Sequence, residues 1–349
     1  MKKIEVEVIQ GRGNYYDLGV KQGMIHKHSK LFLNHQKRRA KSAKSYQADI
    51  HEAQAWFNRF APGLWSELEG LSEGLGWPIE DVVHEYSGFQ ADWKKSGCSA
   101  LMQNGYYARN YDYHPKTYEG RFLIWQPENA YASIGFATRM IGRIDGMNEK
   151  GLVIGYHFVN RLKPGAGFIC CTIARFILDT CKTTAEAVEK LKEIPHRHAF
   201  NYSIYDAGGN AAVAEASSRG VSVKYHKNMV CTNHFESEEK LRENRHHIIE
   251  SLSRKEVLSN ELSPELTAIQ AYSLFNRTNG PIFKKEYHNW SGTLHSAVYL
   301  PKTLQVIVGV GGDSHPLLLS FKDWLQGSNS YIKKIKGILQ TEIEPPFER

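Results

Sequence analysis

The chain changes texture at residue 98, and that change limits its possible folds more than any single motif does. From Cys98 onward, short apolar runs bounded by glycine or polar turns recur: FLIWQ, YASIGFATRM, GLVIGYHF, GVSVKYH, NMVCTN and TLHSAVYLPKTLQVIVGVG. Runs of this length predict strands, and the DAGGN and NEKG turns between them predict hairpins. Two helices interrupt the series. TTAEAVEKLKEIP opens with Thr183 and Glu186 in capping-box spacing, and SPELTAIQAYSLF opens with Ser263 as cap and Pro264 at the first helical position. Strands in runs with grouped helices predict an α+β fold of antiparallel sheets layered with helices.

The first 97 residues read differently. MKKIEVEVIQGRG alternates Ile4, Val6 and Val8 against Glu5 and Glu7, the period of a half-buried strand, with no apolar run to make a secretion signal. Helical patterns follow. Leu18, Ile25, Leu31 and Leu33 recur amid polar residues, and Leu64, Leu68, Leu71 and Leu75 stand at helical spacing behind Pro62, which suits a first turn. No repeat or low-complexity linker divides the chain, so residues 1–349 are expected to form one domain.

Several function classes are disfavoured. No stretch approaches the roughly 18 apolar residues of a membrane span, and the expected location is the cytoplasm. The net charge is +7, but the densest basic run, HQKRRAKSAK, ends a helical pattern, where cations suit the macrodipole. No zinc-finger or RNA-binding signature accompanies it, so nucleic acid is not an expected partner. The five cysteines have no framework spacing and are expected to be reduced; Cys170 and Cys171 read as small buried hydrophobes. His196 and His198 lack the companions of a metal site, and neither metal nor cofactor is expected.

Chemistry concentrates in DWKKSGCSALMQNGYYARNYDYHP, from Asp92 to Pro115. The thiolate is the reactive form of cysteine, and a free thiol with pKa ~8.5 is mostly protonated at neutral pH. A hairpin at QNGYY brings Arg109 back towards Cys98, where a cation stabilises the thiolate. Asp112, three residues on, could hold a protonated amine or orient Arg109. Gly97 lets the preceding peptide adopt strained geometry. A thiolate can then attack the Gly97 carbonyl, move the acyl group to sulfur and let water release the upstream piece. The new N-terminal cysteine carries its own general base, an α-amine of pKa ~7.7–8. A two-piece protein cut there also accounts for the change of texture. On these residues alone, a surface hairpin with an ordinary Arg–Asp pair remains the competing reading.

SGCSALMQNGYYARNYDYH resembles the nucleophile region of the penicillin acyltransferase family, the isopenicillin-N or acyl-CoA:6-aminopenicillanic acid acyltransferases. These are N-terminal-nucleophile hydrolases that cleave themselves at a Gly-Cys bond. Upstream, NYYDLGVKQG and LWSELEGLSEGLGWPIEDVV are similar to the family's propeptide. Downstream, IDGMNEKGLVIG and VCTNHF are shared in style with it and with the choloylglycine (bile-salt) hydrolases.

The resemblance implies a four-layer αββα sandwich of two antiparallel sheets. Residues 1–97 would stay attached as a small subunit, and residues 98–349 would be the catalytic one. Cys98 would be nucleophile and, through its freed amine, base. Asp112 would hold that amine, and Asn233 would donate its side-chain amide to the oxyanion, where one preorganised donor is worth ~10²–10³-fold. Asn148 would shape a turn. Arg109, in Arg-x-x-Asp spacing, follows the bile-salt hydrolases; the fungal acyltransferase has an amide there. Tyr107, Tyr111, Tyr113 and Trp125 are candidates to line an apolar acyl pocket, with His295 and Ser296 at its border. The C-terminal PPFER lacks a peroxisomal address. The expected substrate is a small N-acyl amide, penicillin-like or N-acyl-amino-acid-like. The acyl-thioester on Cys98 goes to water or to an amine, and a homo-oligomer is left open. The alternative is an unprocessed or non-catalytic member acting as a small-molecule binding module.

Overall fold

The N-terminal alternation forms β1 (Lys2–Gly13), with Ile4, Val6 and Val8 buried and Lys3, Glu5 and Glu7 exposed. The computed structural model describes every residue except Lys95, Leu162 and 347–349, so the end of PPFER lies outside the described residues. Five helices follow β1: α1 (Tyr15–His26), α2 (Lys30–Ser42), α3 (Ile50–Phe60), α4 (Gly63–Leu75) and α5 (Ile79–Tyr86). The strand-rich part opens with β2 (Gly97–Gln103), β3 (Tyr106–Tyr113), β4 (Arg121–Pro127) and β5 (Ser133–Thr138). It continues through β6 (Gly142–Arg143), β7 (Asp145–Asn148) and β8 (Val153–Asn160) to α6 (Cys170–Thr180) and α7 (Thr184–Glu193). Then come β9 (Ala199–Tyr205), β10 (Ala211–Ser217), β11 (Gly220–His226) and β12 (Met229–Cys231). Helices α8 (Ile249–Asn260) and α9 (Ala268–Asn276) precede β13 (Lys285–Glu286), β14 (Ser291–Leu300), β15 (Gln305–Val310) and β16 (Leu317–Ser320). The short α10 (Phe321–Leu325) and β17 (Lys334–Leu339) close the described chain.

The strands make two sheets. The larger runs β11-β10-β9-β8-β7-β5-β4-β1-β17, with β6 on β5; the smaller runs β12-β2-β3-β14-β15-β16, with β13 on β14. The sheets face each other across the main core, with α6 and α7 outside the larger and α8 and α9 outside the smaller. This is the αββα sandwich, with one correction. The larger sheet is not wholly antiparallel, because β1 pairs with β4 in parallel. No hairpin joins those two strands, so no turn dictates their relative direction.

Local signals place the ends of most elements. Thr183 caps α7 through Glu186 N–H at 3.2 Å, as its spacing predicts. The start of α9 differs from expectation: Ser263 accepts the Glu265 N–H in a turn, and the helix begins after Thr267, whose capping box uses Gln270. Asn104 and Gly105, with φ of 50° and 82°, make the two-residue turn between β2 and β3. Both left-handed residues suit a type I′ hairpin, which fixes the register of the strands that follow.

The helical segment sits on α6. Phe57 meets Phe168 and Phe176 edge-on at 5.5 and 5.3 Å, and Glu67 reaches Arg175 at 3.0 Å across the same buried seam. All five cysteines are free and buried. Among the described residues, no helix is long and apolar enough to cross a membrane, and no His/Cys/Asp/Glu group is arranged to hold a metal ion.

Candidate active site

The β2–β3 register sets Gly97 opposite Asp112, Cys98 opposite Tyr111 and Ala100 opposite Arg109. Side chains alternate across a strand. Cys98, Arg109 and Tyr111 therefore face the larger sheet, whereas Ser99, Asn110 and Asp112 face α8 and α9. Arg109 and Asp112, three apart on one strand, point to opposite faces. The expectation that Asp112 orients Arg109 is thereby corrected.

Arg109 is instead fixed by Asp145, 3.3 Å from Nη1, and by the carbonyls of Ile144 at 3.0 Å and Tyr156 at 3.3 Å. Asp145 also meets His295 Nε2 at 3.0 Å and accepts from the Tyr299 hydroxyl. Burial works to raise the Asp145 carboxyl, but His295 and Arg109 outweigh it and hold it below the ordinary value. His295 stacks on Phe136, ring centres 3.6 Å apart, and on Tyr111 at 5.3 Å.

Cys98 is fully buried. Burial pushes its thiol up to about 11, with the Arg109 charge working the other way. Its backbone N–H donates to Asn233 Oδ1 at 2.8 Å, and its carbonyl accepts from Arg254 Nη1 at 2.9 Å. Arg254, on α8, also donates to Ser99 Oγ at 2.5 Å and to Asn233 Oδ1 at 2.9 Å. Asn233 Nδ2 donates to the carbonyls of Phe158 at 2.8 Å and Ser96 at 3.4 Å. One amide side chain thus brackets the Gly97–Cys98 bond, accepting from the residue after it and donating to the residue before Gly97.

Asp112 Oδ1 accepts from Thr293 Oγ1 at 2.7 Å, while Oδ2 is buried without a hydrogen-bond partner among the described residues. Burial raises this carboxyl to about 7 against the opposing charges of Lys284 and Arg254. In the continuous chain the Cys98 nitrogen is held by Asn233 Oδ1, whereas the expected pairing with Asp112 concerns the amine of a cut chain. Gly97 lies in close quarters: a Cβ there would stand 2.6 Å from Ser291 Oγ and 3.7 Å from both Asp112 Oδ2 and Lys284 Nζ. Only glycine fits without displacing Ser291.

The linker between α5 and β2 packs on the aromatic residues around Tyr111, the strand partner of Cys98. Trp93 stacks on Tyr113 at 5.5 Å and meets Tyr156 and Phe200 edge-on at 5.7 and 6.1 Å. Tyr111 stands next to this box, with Tyr113 at 5.8 Å and Tyr156 at 6.4 Å. The groove of about 330 Å³ lined by Tyr15, Tyr16, Pro62 and Glu128 does not reach Cys98.

Three other pocket candidates lie elsewhere. Tyr107 bonds Ser203 Oγ at 2.7 Å and packs on Tyr299 in the inter-sheet core. Ser296 turns towards α9, on the Asn276 amide and the Phe275 carbonyl, both at 3.2 Å. Alternation explains this, since its neighbour His295 faces the other way. Trp125 fills the space that Gly11 leaves on the far side of β4. Asn148 does shape the β7–β8 turn, accepting from Lys150 and Leu152 N–H.

The sequence model described as acyl-coenzyme A:6-aminopenicillanic acid acyl-transferase matches residues 98–315, more than half of the chain and beginning at Cys98. The chain belongs to this family. It is therefore an enzyme of an acyl-transfer family, and its matched region starts where the fold changes from helices to strands. Among curated proteins none matches the sequence. Three solved structures are similar. Penicillin V acylase from Agrobacterium tumefaciens is 17% identical, covering 65% of this chain and 86% of its own, with a TM-score of 0.44. A variant of conjugated bile acid hydrolase from Clostridium perfringens is 11% identical, covering 70% and 100%, with a TM-score of 0.47. The Caenorhabditis elegans ortholog of N-acylethanolamine-hydrolyzing acid amidase is 14% identical, covering 59% and 93%, with a TM-score of 0.40.

Proposed function

We propose that this protein is a cysteine amidohydrolase or acyltransferase that matures by cutting itself between Gly97 and Cys98. The observation that carries the reading is the bracketing of that bond by Asn233, with the unpartnered Asp112 oxygen beside Gly97. A carboxyl near 7 exchanges protons readily at neutral pH. Cys98 Sγ attacks the Gly97 carbonyl carbon and its proton is lost to water, while protonated Asp112, beside Gly97 on the opposite face, holds a proton for the departing nitrogen. The tetrahedral intermediate collapses with loss of the C–N bond, and that proton passes to the departing nitrogen, which becomes the α-amine. Water then hydrolyses the thioester and leaves a carboxylate on Gly97.

In the mature enzyme the Cys98 amine takes the thiol proton as Sγ attacks the substrate carbonyl and returns it to the leaving amine. Asn233 Oδ1 accepts from the Cys98 amine while Arg254 holds the Cys98 carbonyl and Asn233, Asn233 Nδ2 is the donor for the oxyanion, and Arg109 supplies positive charge behind the sulfur. The acyl group enters the box of Tyr111, Tyr113, Tyr156 and Phe200 once Trp93 leaves it. Hydrolysis follows when water accepts the acyl group, and transfer follows when an amine does. The substrate class is a small N-acyl amide with an apolar acyl group.

Mass spectrometry of freshly purified protein tests this. Two polypeptides, the larger starting at Cys98, are expected, with Cys98→Ala remaining a single chain and releasing no amine from N-acyl amino acids, β-lactams or conjugated bile salts. Processing in Cys98→Ala, or amide cleavage that survives it, overturns the reading. A second reading, an unprocessed binding module, draws on the sealed thiol, and a single full-length species after long incubation would favour it.

A further inference from the structure

The linker is held by more than its tryptophan. Asp92 extends its carboxylate towards Arg197 Nη2 at 3.7 Å and His198 Nε2 at 3.9 Å. Arg197 Nη1 donates to the Gln90 side chain at 2.7 Å and to the Gly165 carbonyl at 3.0 Å, and Arg139 donates to the Asp92 carbonyl at 3.1 Å. Among the described residues, every hydrogen-bond or ion-pair partner of the Arg197 side chain except the Gly165 carbonyl thus belongs to the linker, while its backbone pairs with Gly165 and Phe168.

His198 is only 3% exposed, yet neither ring nitrogen makes a well-formed hydrogen bond, and Arg197 Nε is likewise buried and unfilled. Two polar groups of the linker, the Asp92 carboxylate and the Ala91 backbone, act on the imidazole, and Arg197 and Arg161 add positive charge. Burial lowers His198 to about 4, so near neutral pH the ring is an uncharged donor and Arg197 carries the charge. Buried donors of this kind are rarely left idle in folded proteins. A planar guanidinium fork with a neighbouring N–H suits a carboxylate.

We propose that Arg197 and His198 form a carboxylate subsite of the active site, filled by Asp92 before processing and by the far end of the acyl group afterwards. This rests on the reading that cutting at Gly97–Cys98 frees the linker. Asp92 lies five residues before Gly97, at most about 17 Å of extended chain, with the Trp93 box in between. The substrate that follows has an apolar or aromatic acyl body ending in a carboxylate: the monoamide of a dicarboxylic acid.

Two measurements test this. In the first, p-nitroanilide monoamides of dicarboxylic acids of increasing length are compared on the matured enzyme with the same compounds methyl-esterified at the free carboxyl. At the favoured length kcat/KM for the acid is expected to exceed that for the ester by about tenfold or more, less so at high salt. Arg197→Gln and His198→Asn should each bring that ratio towards one. A ratio near one at every length, or a preference that survives both substitutions, overturns the subsite. In the second, glutarate is titrated calorimetrically into the full-length chain carrying Cys98→Ala and Asp92→Ala. Binding that disappears on adding Arg197→Gln supports the proposal, and no binding overturns it. If glutarate binds while neither amide series is turned over, the subsite stands and the catalytic reading fails.

Discussion

Asp112 shows what a buried, half-partnered carboxyl costs the fold. Its Oδ2 is buried and unpartnered, and burial moves the group from an ordinary value near 3.8 to about 7. A carboxyl whose folded value lies above its unfolded value binds its proton more tightly when folded. Its charge therefore destabilises the native state fully above about pH 7, and the penalty vanishes below about pH 4. That displacement corresponds to at most about 4 kcal/mol. Asp112→Asn is expected to raise stability at pH 8 by up to this amount, with the difference fading as the pH is lowered through 7 towards 4, while self-processing is lost. Urea unfolding of Cys98→Ala and Cys98→Ala/Asp112→Asn across that pH range measures it without interference from cleavage. Equal stability of the pair at pH 8 would show that Asp112 is better solvated than its burial indicates. Gly97, Cys98, Arg109 and Asp112 were singled out from the sequence because a turn between two short apolar runs predicts a hairpin, and β2 and β3 do bring them onto paired strands. Their partners were not. Arg109 finds Asp145 and Cys98 N–H finds Asn233 through sheet register and long-range packing, which one stretch of sequence does not contain.

At the scale of elements, period and turn chemistry did most of what could be done from sequence. Asn104-Gly105 and the β-rich runs give the β2–β3 hairpin, and its register decides which residues share a face. Two errors came from the same level. Reading Arg-x-x-Asp as a pair ignored the two-residue period of a strand, and placing Ser296 beside His295 at a pocket did likewise. Arg254 escaped altogether. It lies in SLSRKEVL, whose pattern announces only an amphipathic helix, and it meets the Cys98 carbonyl across 156 residues of sequence. α8 thus delivers a guanidinium that ties Cys98, Ser99 and Asn233 together. Charge-assisted hydrogen bonds of this kind are worth roughly 1.5–3 kcal/mol each. Arg254→Met keeps the length of the side chain and removes the fork. It is expected to slow self-processing by about 10- to 100-fold while the helix stays packed, with Arg254→Lys intermediate. A gel time course after synthesis reads the rate, and an unaltered rate would assign Arg254 to packing alone.

For the whole molecule, the consequence of a cut after Gly97 depends on how residues 1–97 are attached. A helical cap held only at its surface would drift away, and this one is not so held. β1 lies between β4 and β17, hydrogen-bonded on both sides. The helices that follow bury Phe57, Phe60 and Leu68 in the same core as Phe168 and Phe176. Among the described residues, their fully buried Glu67–Arg175 ion pair with the part from Cys98 onward is supported by Asp179 on Arg175 and by Gln22 on Glu67. Removing one partner of such a pair leaves a charge stranded in the interior, at about 3–5 kcal/mol. The processed protein is therefore expected to run as one particle in size-exclusion chromatography and as two bands on a denaturing gel. Glu67→Ala should lower the midpoint of fragment dissociation in urea markedly, whereas Arg59→Ala, which breaks the exposed Arg59–Glu193 pair, should barely move it. Fragments that separate in native buffer would mean that β1 does not hold its place once the chain is cut. Equal effects of the two substitutions would mean that the seam derives its strength from the aromatic cluster alone.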